Sequence, residues 1–368
     1  MDDENKKYKI LLTGGGTGGS VTPLLAVYDG LKKDEGGFEF FWLGTKFGPE
    51  RAMVASASSA QGKKTEIKFK AISGGKWRRY FSLKNLVDIF KIKLGFWQAF
   101  FIMLKSRPNL VISAGSFISV PVVWAAWTLR VPVLIHQQDI KPGLANKLMA
   151  PLAKVVTVTF EKSLADYGKK AVWTGNPTRR SLEIPNPKSQ IPNINANLPV
   201  VLVLGGGMGA EAINRLVENS FAELTKLCQI IHVTGKEKAI TSYQLPITNY
   251  AQYEFLDVGQ MAEAMKMADL AVTRAGLATL SELSYLAKPS IIIPIPESHQ
   301  EANAEFFKSH QAAMIIKQKD LTAENFVSII KDLLADKKLR DRLAINMKNA
   351  MKLGANQAMI KIIREIIR

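Results

Sequence analysis

Apolar runs and glycine loops alternate at the start of the chain in an order that predicts a β-loop-α-β unit. Residues 8–13 form a strand-like apolar run, and a glycine-rich loop follows at residues 14–19. An apolar helical pattern then covers about residues 23–33, and a second strand-like run, residues 38–43, ends at Gly44. A short strand that leads through glycines into a helix and then into another strand is the signature of a parallel βα unit.

The same order of elements recurs in the second half. Residues 199–204 are strand-like, residues 205–209 form a glycine loop, and a helical pattern over about residues 210–226 precedes a strand at residues 229–234. Because strands alternate with helices, we expect parallel sheets covered by helices on both faces. Two copies predict an α/β protein of two doubly wound domains. Further strands are predicted at residues 110–114, 131–135, 155–159, 270–273 and 290–293.

A change of composition marks the boundary between the two copies. Between Pro177 and Pro199 the chain has five prolines and four asparagines and no clear periodicity, which is typical of a linker. We therefore expect a first domain at residues 1–180, a linker at 181–198 and a second domain at 199–345. Residues 346–368 are amphipathic and helical, and we expect them to pack back on the first domain.

Length and composition fit two soluble domains. A chain of 368 residues with 47% hydrophobic and 22% charged residues can bury two ordinary cores. The single cysteine, Cys228, excludes a disulfide framework and suits a small core residue. Residues 110–129 carry no charge over about the length of a membrane span. Gly115 and Pro121 interrupt that stretch, so we predict a buried strand and helix there, and at most attachment to a membrane surface.

The positive charge is concentrated in the first half. The net charge is +17, with a surplus of 14 positive charges in residues 1–185 and of 3 in residues 186–368. Such a field attracts nucleic acid, anionic lipid or a polyphosphate, and charge alone does not choose among them. Since the sequence has no recognised nucleic-acid motif, we expect no nucleic-acid partner.

The glycine loops are suited to phosphate. Gly14-x-Gly16-x-x-Gly19 has the letters of the dinucleotide fingerprint, and a helix start behind a glycine turn offers N–H groups to an anion. A dinucleotide site also needs an acidic residue after the second strand. Residues 43–46 and 234–236 contain none, which argues against a dehydrogenase. A tight turn without a ligand remains open for each loop taken alone.

The segment after residues 270–273 carries the most informative pattern. Amides at residues 276–279 could receive a diphosphate, and Glu282, one turn further, could accept hydrogen bonds from ribose hydroxyls. The alternative is that Glu282 caps its helix or is solvated. Residues 294–304 follow the next strand and contain Gln300 with other polar side chains that suit sugar recognition. Loops at the carboxyl ends of parallel strands are where such sheets bind ligands.

Seven segments, in this order, resemble one family. They are residues 15–19, 113–117, 136–139, 174–179, 205–210 and 274–282, and then Gln300 with Asn303 and Ala304. They are similar to the motifs of the MurG family, bacterial glycosyltransferases that add N-acetylglucosamine to undecaprenyl-diphosphate-linked N-acetylmuramyl-pentapeptide (lipid I) to give lipid II. The resemblance extends from Leu11 to the C-terminal helix.

The resemblance implies two Rossmann-like domains facing a cleft, the GT-B type, with the nucleotide sugar held mostly by the C-terminal domain. It implies an inverting reaction without metal or cofactor. The implied partners are UDP-N-acetylglucosamine, a lipid-linked diphosphate acceptor and an anionic membrane surface, with peripheral attachment at the cytoplasmic face of the bacterial membrane. The implied substrate-binding residues are Thr17, Gly18, Gly19, Asp139, Arg179, Gly207, Leu256 near uracil, Leu277, Ala278, Thr279, Leu280 and Ser281 at the diphosphate, Glu282 at the ribose and Gln300 at the sugar.

Several positions depart from the family pattern. Ser20 stands where the first loop usually ends in histidine. Gln137 and Asp139 replace the glutamate and asparagine of the usual His-Glu-Gln-Asn, and Gly207 and Met208 replace serine and glutamine. A positioned base contributes about 10²–10⁴-fold to such a transfer. With Ser20 in place of the histidine, we expect Asp139 or His136 to act as the catalytic base.

Residues 76–107 combine basic and aromatic side chains, which suits an anionic lipid surface. We expect Trp77, Tyr80 and Phe81, in the loop at residues 76–81, to contact lipid. A second apolar set recurs at helical spacing, and we expect it to pack in the core of the first domain. This set is Leu83, Leu86, Phe90, Leu94, Trp97, Phe101 and Leu104.

Three other functions stay open on the sequence alone. A related transferase could use a different lipid acceptor. A UDP-sugar 2-epimerase shares the two-domain fold but needs carboxylates and a histidine around the sugar, which are scarce near Gln300. The changes at Ser20 and Gln137 keep open a third possibility, a non-catalytic relative that binds a nucleotide sugar or lipid. Product analysis separates the first two from each other, and turnover separates both from the third.

Overall fold

The computed structural model of the chain describes residues 7–32, 37–59, 67–75, 84–182, 191, 197–206, 209–240 and 249–368. The chain forms two compact units. The first unit is Met1–Arg179 with Lys352–Arg368, and the second is Arg180–Met351. Each unit is built on one parallel sheet, which confirms the predicted α/β class with two Rossmann-like domains.

The first unit contains a seven-stranded parallel sheet in the order β3-β2-β1-β4-β5-β6-β7. In β1 (Tyr8–Thr13), the third strand in that order, Leu12 pairs with Trp42 on one side and with Ile112 on the other. The strands are β1 Tyr8–Thr13, β2 Phe38–Gly44, β3 Lys68–Ala71, β4 Leu110–Ser113, β5 Val133–Gln137, β6 Val155–Val158 and β7 Ala171–Trp173.

Helices cover both faces of this sheet because alternate residues of a strand point to opposite sides. Ile10 and Leu12 pack in one core, which the last helix of the chain completes with Met359 and Ile363. Leu11 packs in the core on the other face. The helices of this unit are α1 Thr22–Leu31, α2 Glu50–Ser59, α3 Lys84–Ser106, α4 Ser119–Thr128, α5 Leu144–Met149 and, last in the chain, α12 Ala355–Ile367.

The second unit contains a six-stranded parallel sheet in the order β10-β9-β8-β11-β12-β13. Its strands are β8 Val200–Leu204, β9 Gln229–Val233, β10 Tyr250–Tyr253, β11 Leu270–Thr273, β12 Ser290–Ile292 and β13 Met314–Ile315. Its helices are α6 Glu211–Leu227, α7 Val258–Met267, α8 Leu277–Tyr285, α9 His299–Ser309, α10 Ala323–Ala335 and α11 Lys337–Ala350.

The structure adds elements that the hydrophobic pattern did not predict. β3, β7, β10 and β13 are strands of two to four residues towards the edges of the sheets, where few side chains are buried. The helical tail is two helices rather than one. Gly354, with a φ of +78°, lies between α11 and α12, and glycine adopts this left-handed conformation without steric cost.

The expectation that the apolar stripe on α3 packs in the core was wrong. Phe90 and Phe101 are 70% and 63% exposed, and Leu86, Leu94, Trp97 and Leu104 are exposed as well. Leu83, the other member of the predicted set, lies outside the described residues. Ala99 and Met103 face the core instead, with Phe96 and Phe100 packed beside them. Because α3 is apolar on two sides, its periodicity fits either face. Across the described residues, no helix combines the length and the hydropathy needed to cross a membrane.

Candidate active site

In each unit the predicted ligand loops flank the point where the strand order reverses. In the first sheet β1 and β4 are neighbours, and in the second β8 and β11 are neighbours. The helices that follow the two strands of such a pair leave on opposite faces, which opens a crevice at their carboxyl ends. The loop at residues 14–21 follows β1, and Gly276 follows β11.

In the first glycine loop, side chains accept hydrogen bonds from two of the backbone amides. The Gly15 N–H donates to the Ser20 hydroxyl at 3.1 Å, and the same hydroxyl lies 3.3 Å from the Gly15 carbonyl oxygen. The Gly16 N–H donates to the Glu50 carboxylate at 3.0 Å. Among the described residues, none accepts a hydrogen bond from the N–H groups of Thr17, Gly18 or Gly19. These three amides are the ones the loop can offer to a substrate.

The loop between β4 and α4 supports the first loop. The Ser116 hydroxyl donates to the Gly15 carbonyl at 2.6 Å, and the Phe117 ring packs where a Cβ on Gly16 would stand, 2.8 Å from that position. Ser116 has a φ of +91°, which is a strained conformation for a residue other than glycine. Such strain is kept where neighbouring structure fixes it and is common at functional sites.

His136, one of the two expected catalytic bases, is enclosed in the first unit. Its exposed fraction is 0%, Nδ1 lies 3.0 Å from the Thr157 hydroxyl, and Nε2 lies 2.8 Å from Asn176 Oδ1. Burial lowers the pKa of His136 to about 4. Because both ring nitrogens have partners and none of the ring reaches the surface, this geometry does not favour His136 as the base.

Gln137 shapes the segment that carries the other expected base. Its Nε2 donates to the carbonyl oxygens of Asp139 at 2.6 Å and Lys141 at 3.3 Å. Its Oε1 accepts from Asn146 Nδ2 at 2.6 Å and from the Tyr167 hydroxyl at 2.9 Å. A glutamate could not donate to these two carbonyls, so this way of fixing the turn requires a glutamine at position 137. Asp139 is half-buried on this turn.

Arg179 is half-buried at the end of the first unit, next to a turn tied to α12. The Thr178 N–H donates to Asn356 Oδ1 at 3.1 Å, and Asn356 Nδ2 donates back to the Thr178 carbonyl at 2.9 Å. These two bonds fix the backbone beside Arg179. Gly207, Met208, Trp77, Tyr80 and Phe81 lie outside the described residues, so their expected roles stay predictions.

In the second unit, α8 begins without a side-chain cap. Gly276 is its N-cap, so the N-cap position supplies no side-chain hydrogen bond to the amides of the first turn. An uncapped helix start attracts an anion through its N–H groups and its dipole. Ala278 and Thr279 are half-exposed there, whereas Leu277, Leu280 and Ser281 are buried. The Ser281 hydroxyl donates back to the Leu277 carbonyl at 2.6 Å.

Two buried polar atoms just before α8 lack partners among the described residues. These are Thr273 Oγ1 and Arg274 Nε. The other guanidinium nitrogens of Arg274 bind the Ile293 carbonyl at 3.1 Å and Gln318 Oε1 at 2.8 Å. Arg274 therefore joins the loops that follow three neighbouring strands, β11, β12 and β13, and sequence reasoning missed this role because its partners are 19 and 44 residues away.

Gln300 links two loops and keeps one group available. Its Oε1 accepts from the N–H groups of Ala275 and Ile295, each at 3.2 Å. In the part of the chain that the structure describes, no residue accepts a hydrogen bond from its Nε2. The amide NH₂ is therefore available as a donor beside the start of α8.

The two remaining donor-side predictions fall on buried residues. Glu282 is 1% exposed, on the second turn of α8. Leu256 is also buried, on the loop between β10 and α7, whose N-cap Asp257 forms a capping box with Gln260. The structure thus places residues 276–282 and Gln300 together at neighbouring strand ends, and Leu256 after β10, on the far side of β9 and β8 from β11.

Comparison with known proteins identifies the family. The N-terminal domain model of glycosyltransferase family 28 matches residues 10–158, and the C-terminal domain model matches residues 200–361. The chain is 37% identical over 354 residues to the UDP-N-acetylglucosamine--N-acetylmuramyl-(pentapeptide) pyrophosphoryl-undecaprenol N-acetylglucosamine transferase of Clostridium tetani, covering 94% of each chain. The chain belongs to the MurG family of glycosyltransferases.

Two further relatives agree with this assignment. The transferase of the same name from Clostridium kluyveri is 39% identical over 336 residues, covering 88% of this chain and 91% of that one. The crystal structure of MurG from Acinetobacter baumannii matches with a TM-score of 0.68 and 26% identity, covering 97% of this chain and 99% of the other. The family resemblance and the glycosyltransferase class predicted from the motifs are thereby confirmed.

Proposed function

We propose that this chain transfers N-acetylglucosamine from UDP-N-acetylglucosamine to undecaprenyl-diphosphate-linked N-acetylmuramyl-pentapeptide in peptidoglycan synthesis. The observation that carries the proposal is the similarity along nearly the whole chain to transferases named for that reaction. The uncapped start of α8 and the available amide of Gln300 agree with a nucleotide-sugar donor.

The second unit would hold the donor. The amides at the start of α8 receive the diphosphate and stabilise the charge that develops on UDP as it leaves. Glu282, on the second turn of α8, would accept hydrogen bonds from the ribose hydroxyls after the side chain turns outward. Gln300 Nε2 donates to the sugar while Oε1 stays bound to the two backbone amides.

The first unit would supply the acceptor site and the base. An acceptor hydroxyl attacks the anomeric carbon, the bond from that carbon to the diphosphate oxygen breaks, and UDP leaves with the bonding electrons. Asp139, on the turn fixed by Gln137, takes the proton from the hydroxyl. One displacement inverts the configuration at the anomeric carbon, and the α8 amides stabilise the leaving group without a metal ion.

Transfer of labelled sugar from UDP-N-acetylglucosamine to a soluble lipid I analogue tests this function. We expect a disaccharide product with a β-glycosidic bond and release of UDP, in the presence of a chelator. Transfer only to a different lipid-linked diphosphate would mean that this chain uses another acceptor. Formation of the 2-epimer of the donor, or tight donor binding with no product on any acceptor, would contradict the proposal.

We also propose that the exposed faces of α3 and α4 bind an anionic membrane surface, where the acceptor's lipid lies. Phe90, Trp97 and Phe101 are exposed on α3, and Trp124 and Trp127 on α4, which packs against it. Exposed lysines and an arginine accompany them: Lys91, Lys93, Lys105 and Arg107. Aromatic side chains at the headgroup level and basic side chains near anionic lipid act together in interfacial binding.

Co-sedimentation with vesicles tests this face. Replacing Phe90, Trp97 and Phe101 together by serine should reduce binding to phosphatidylglycerol vesicles, because the insertion of three aromatic rings is lost. Ile345→Ser is the matched control, since Ile345 is an exposed apolar residue on α11 in the second unit. Equal binding of the triple variant and the control would exclude α3 as the contact.

A further inference from the structure

Glu50 is a buried carboxylate that no substrate role explains. It is 0% exposed and is the first residue of α2. Its Oε2 accepts from the Gly16 N–H at 3.0 Å, and its Oε1 accepts from the Thr45 N–H at 2.6 Å and from the Thr45 hydroxyl. A buried carboxylate is costly unless it accepts several hydrogen bonds. These donors and the start of α2 supply that stabilisation.

The surrounding glycines make room for this carboxylate. A Cβ on Gly15 would lie 2.3 Å from Glu50 Oε1, and a Cβ on Gly48 would lie 2.0 Å from Oε2. A Cβ on Gly44 would lie 2.9 Å from Glu50 Cγ. All three distances are too short for real side chains, so the loop after β1 and the turn after β2 are both built around Glu50.

The hydrogen bond between Glu50 and the Gly16 N–H helps to decide which amides of the glycine loop are available to a ligand. Glu50 takes the Gly16 N–H and Ser20 takes the Gly15 N–H. The amides of Thr17, Gly18 and Gly19 are left for an anion. If Glu50 were absent, the Gly16 amide would lose its partner and the loop could turn, because glycines have little conformational preference of their own.

We propose that Glu50 is a positioning residue of the acceptor site, which fixes the glycine loop so that the amides of residues 17–19 bind the acceptor's diphosphate. The inference rests on the proposed transfer function and deepens it. Glu50 touches no reacting atom, and it acts through Gly16. The donor, held by the second unit, should be unaffected by its loss.

Glu50→Gln is the sharpest variant. It keeps the shape, but whichever way the amide is turned, its NH₂ group faces the N–H of either Gly16 or Thr45. We expect kcat/KM for the acceptor analogue to fall roughly 10²-fold, the size of effect that a small misplacement produces. The Kd for UDP-N-acetylglucosamine should not change. Glu39→Gln is the matched control, because it makes the same chemical change on β2, where the Glu39 carboxylate pairs with the exposed Lys68.

Thr45→Val is a milder second variant, which removes the hydroxyl donor and keeps the N–H. It should reduce acceptor kcat/KM in the same direction but less, and it keeps the test usable if Glu50→Gln does not fold. Acceptor kinetics equal to those of Glu39→Gln in the folded variants would overturn the proposal. So would a loss of activity that vanishes when the variants are compared at equal distance below their Tm.

Hydrogen exchange separates this proposal from the function it rests on. In Glu50→Gln, the amides of residues 14–20 should exchange faster than in the native chain, while α8 is unchanged. Unchanged exchange in that loop would refute the positioning role even if the native chain transfers sugar. Faster exchange in Glu50→Gln, combined with a native chain that transfers no sugar, would refute the proposed function while leaving the loop's dependence on Glu50 intact.

Discussion

The loop after β1 and the start of α8 lie beside the strand-order reversals of their two sheets, but they satisfy their polar groups differently. In the first, side chains occupy the amides of Gly15 and Gly16. In the second, Gly276 leaves the helix uncapped, and Thr273 Oγ1 and Arg274 Nε are buried without partners among the described residues. A buried unpaired polar group costs about 1–3 kcal/mol.

The difference indicates two ways of building a binding site. The first loop is shaped by the protein itself, and the amides of residues 17–19, which have no acceptor among the described residues, remain for a ligand. Just before α8, Thr273 Oγ1 and Arg274 Nε have no partner among the described residues, and we propose that a bound diphosphate and sugar complete this site. We therefore propose that the first unit places the acceptor and the base rigidly, and that the second unit determines the affinity for the donor.

The largest effect should come from Asp139, because it tests whether the chemistry resides in the first unit. Asp139→Asn removes the base and keeps the size of the side chain, so kcat should fall about 10²–10⁴-fold. Calorimetry should give an unchanged Kd for the donor. Glu161→Gln, an exposed carboxylate of the same unit, is the control. A kcat within the range of that control would remove Asp139 from the mechanism.

Glu282→Ala tests the donor side of the comparison. Charged hydrogen bonds to the ribose hydroxyls are worth about 1.5–3 kcal/mol, so the Kd for UDP-N-acetylglucosamine should rise roughly 10- to 100-fold. Calorimetry measures this, with Tm recorded because Glu282 is buried. Glu305→Ala, an exposed carboxylate on α9, should bind donor normally. If the two variants bind the donor equally well, the ribose assignment is wrong.

Gln300→Glu sharpens the comparison by separating two roles of one side chain. The carboxylate can still accept from Ala275 and Ile295, but the NH₂ donor is gone. The ratio of UDP-N-acetylglucosamine affinity to UDP affinity should fall about tenfold, because one hydrogen bond to the sugar is lost. Taking the ratio cancels the effect of the added charge on the diphosphate. An unchanged ratio with unchanged Tm would show that Gln300 only joins the loops.

The smallest expected effect is a pH dependence of stability, and it should be the same in both units. Burial lowers the pKa of His136 in the first unit and of His232 in the second to about 4. Both folded-state values are below the ordinary 6.5, so the unfolded chain binds more protons below that pH, and stability is lost as pH falls from about 6.5 towards 4. From pH 7 to pH 5.5 each histidine should remove about 1 kcal/mol of unfolding free energy.

Urea unfolding at several pH values checks this for His136→Gln and His232→Gln. Each variant should show a shallower loss of stability between pH 7 and pH 5.5 than the native chain. Parallel curves for native and variant proteins would mean that the imidazoles do not titrate as their burial implies.

The C-terminal half shows how far local pattern reaches. The strand over residues 270–273 was predicted with the bounds that the structure has, because a short apolar run between polar loops fixes both ends. The α8 segment follows it directly, so a diphosphate-binding role could be proposed for it from residues that are adjacent in the sequence. The hydrogen bonds by which Arg274 joins neighbouring loops could not be predicted in this way, because its partners Ile293 and Gln318 come from loops after other strands.

The N-terminal half shows where local pattern fails. On α3 the apolar positions form more than one stripe, and only the packing of Ala99 and Met103 against the sheet decides which side faces the core. The sequence motif suggests His136 as a base. In the structure, however, His136 lies on β5, and its ring is enclosed by Thr157 and Asn176.

By itself, the sequence determined the α/β class, the repeated strand-glycine-helix order and the family, and it indicated the segments that we propose as the site. Those properties depend on periodicity and on residues that are adjacent in the sequence, so they can be read without knowing the tertiary contacts. Only the tertiary structure decided that Glu50 lies under Gly16, that α3 exposes its aromatic side chains, and that Gln137 holds the Asp139 turn. These depend on which distant segments meet when parallel strands bring their carboxyl ends to one edge.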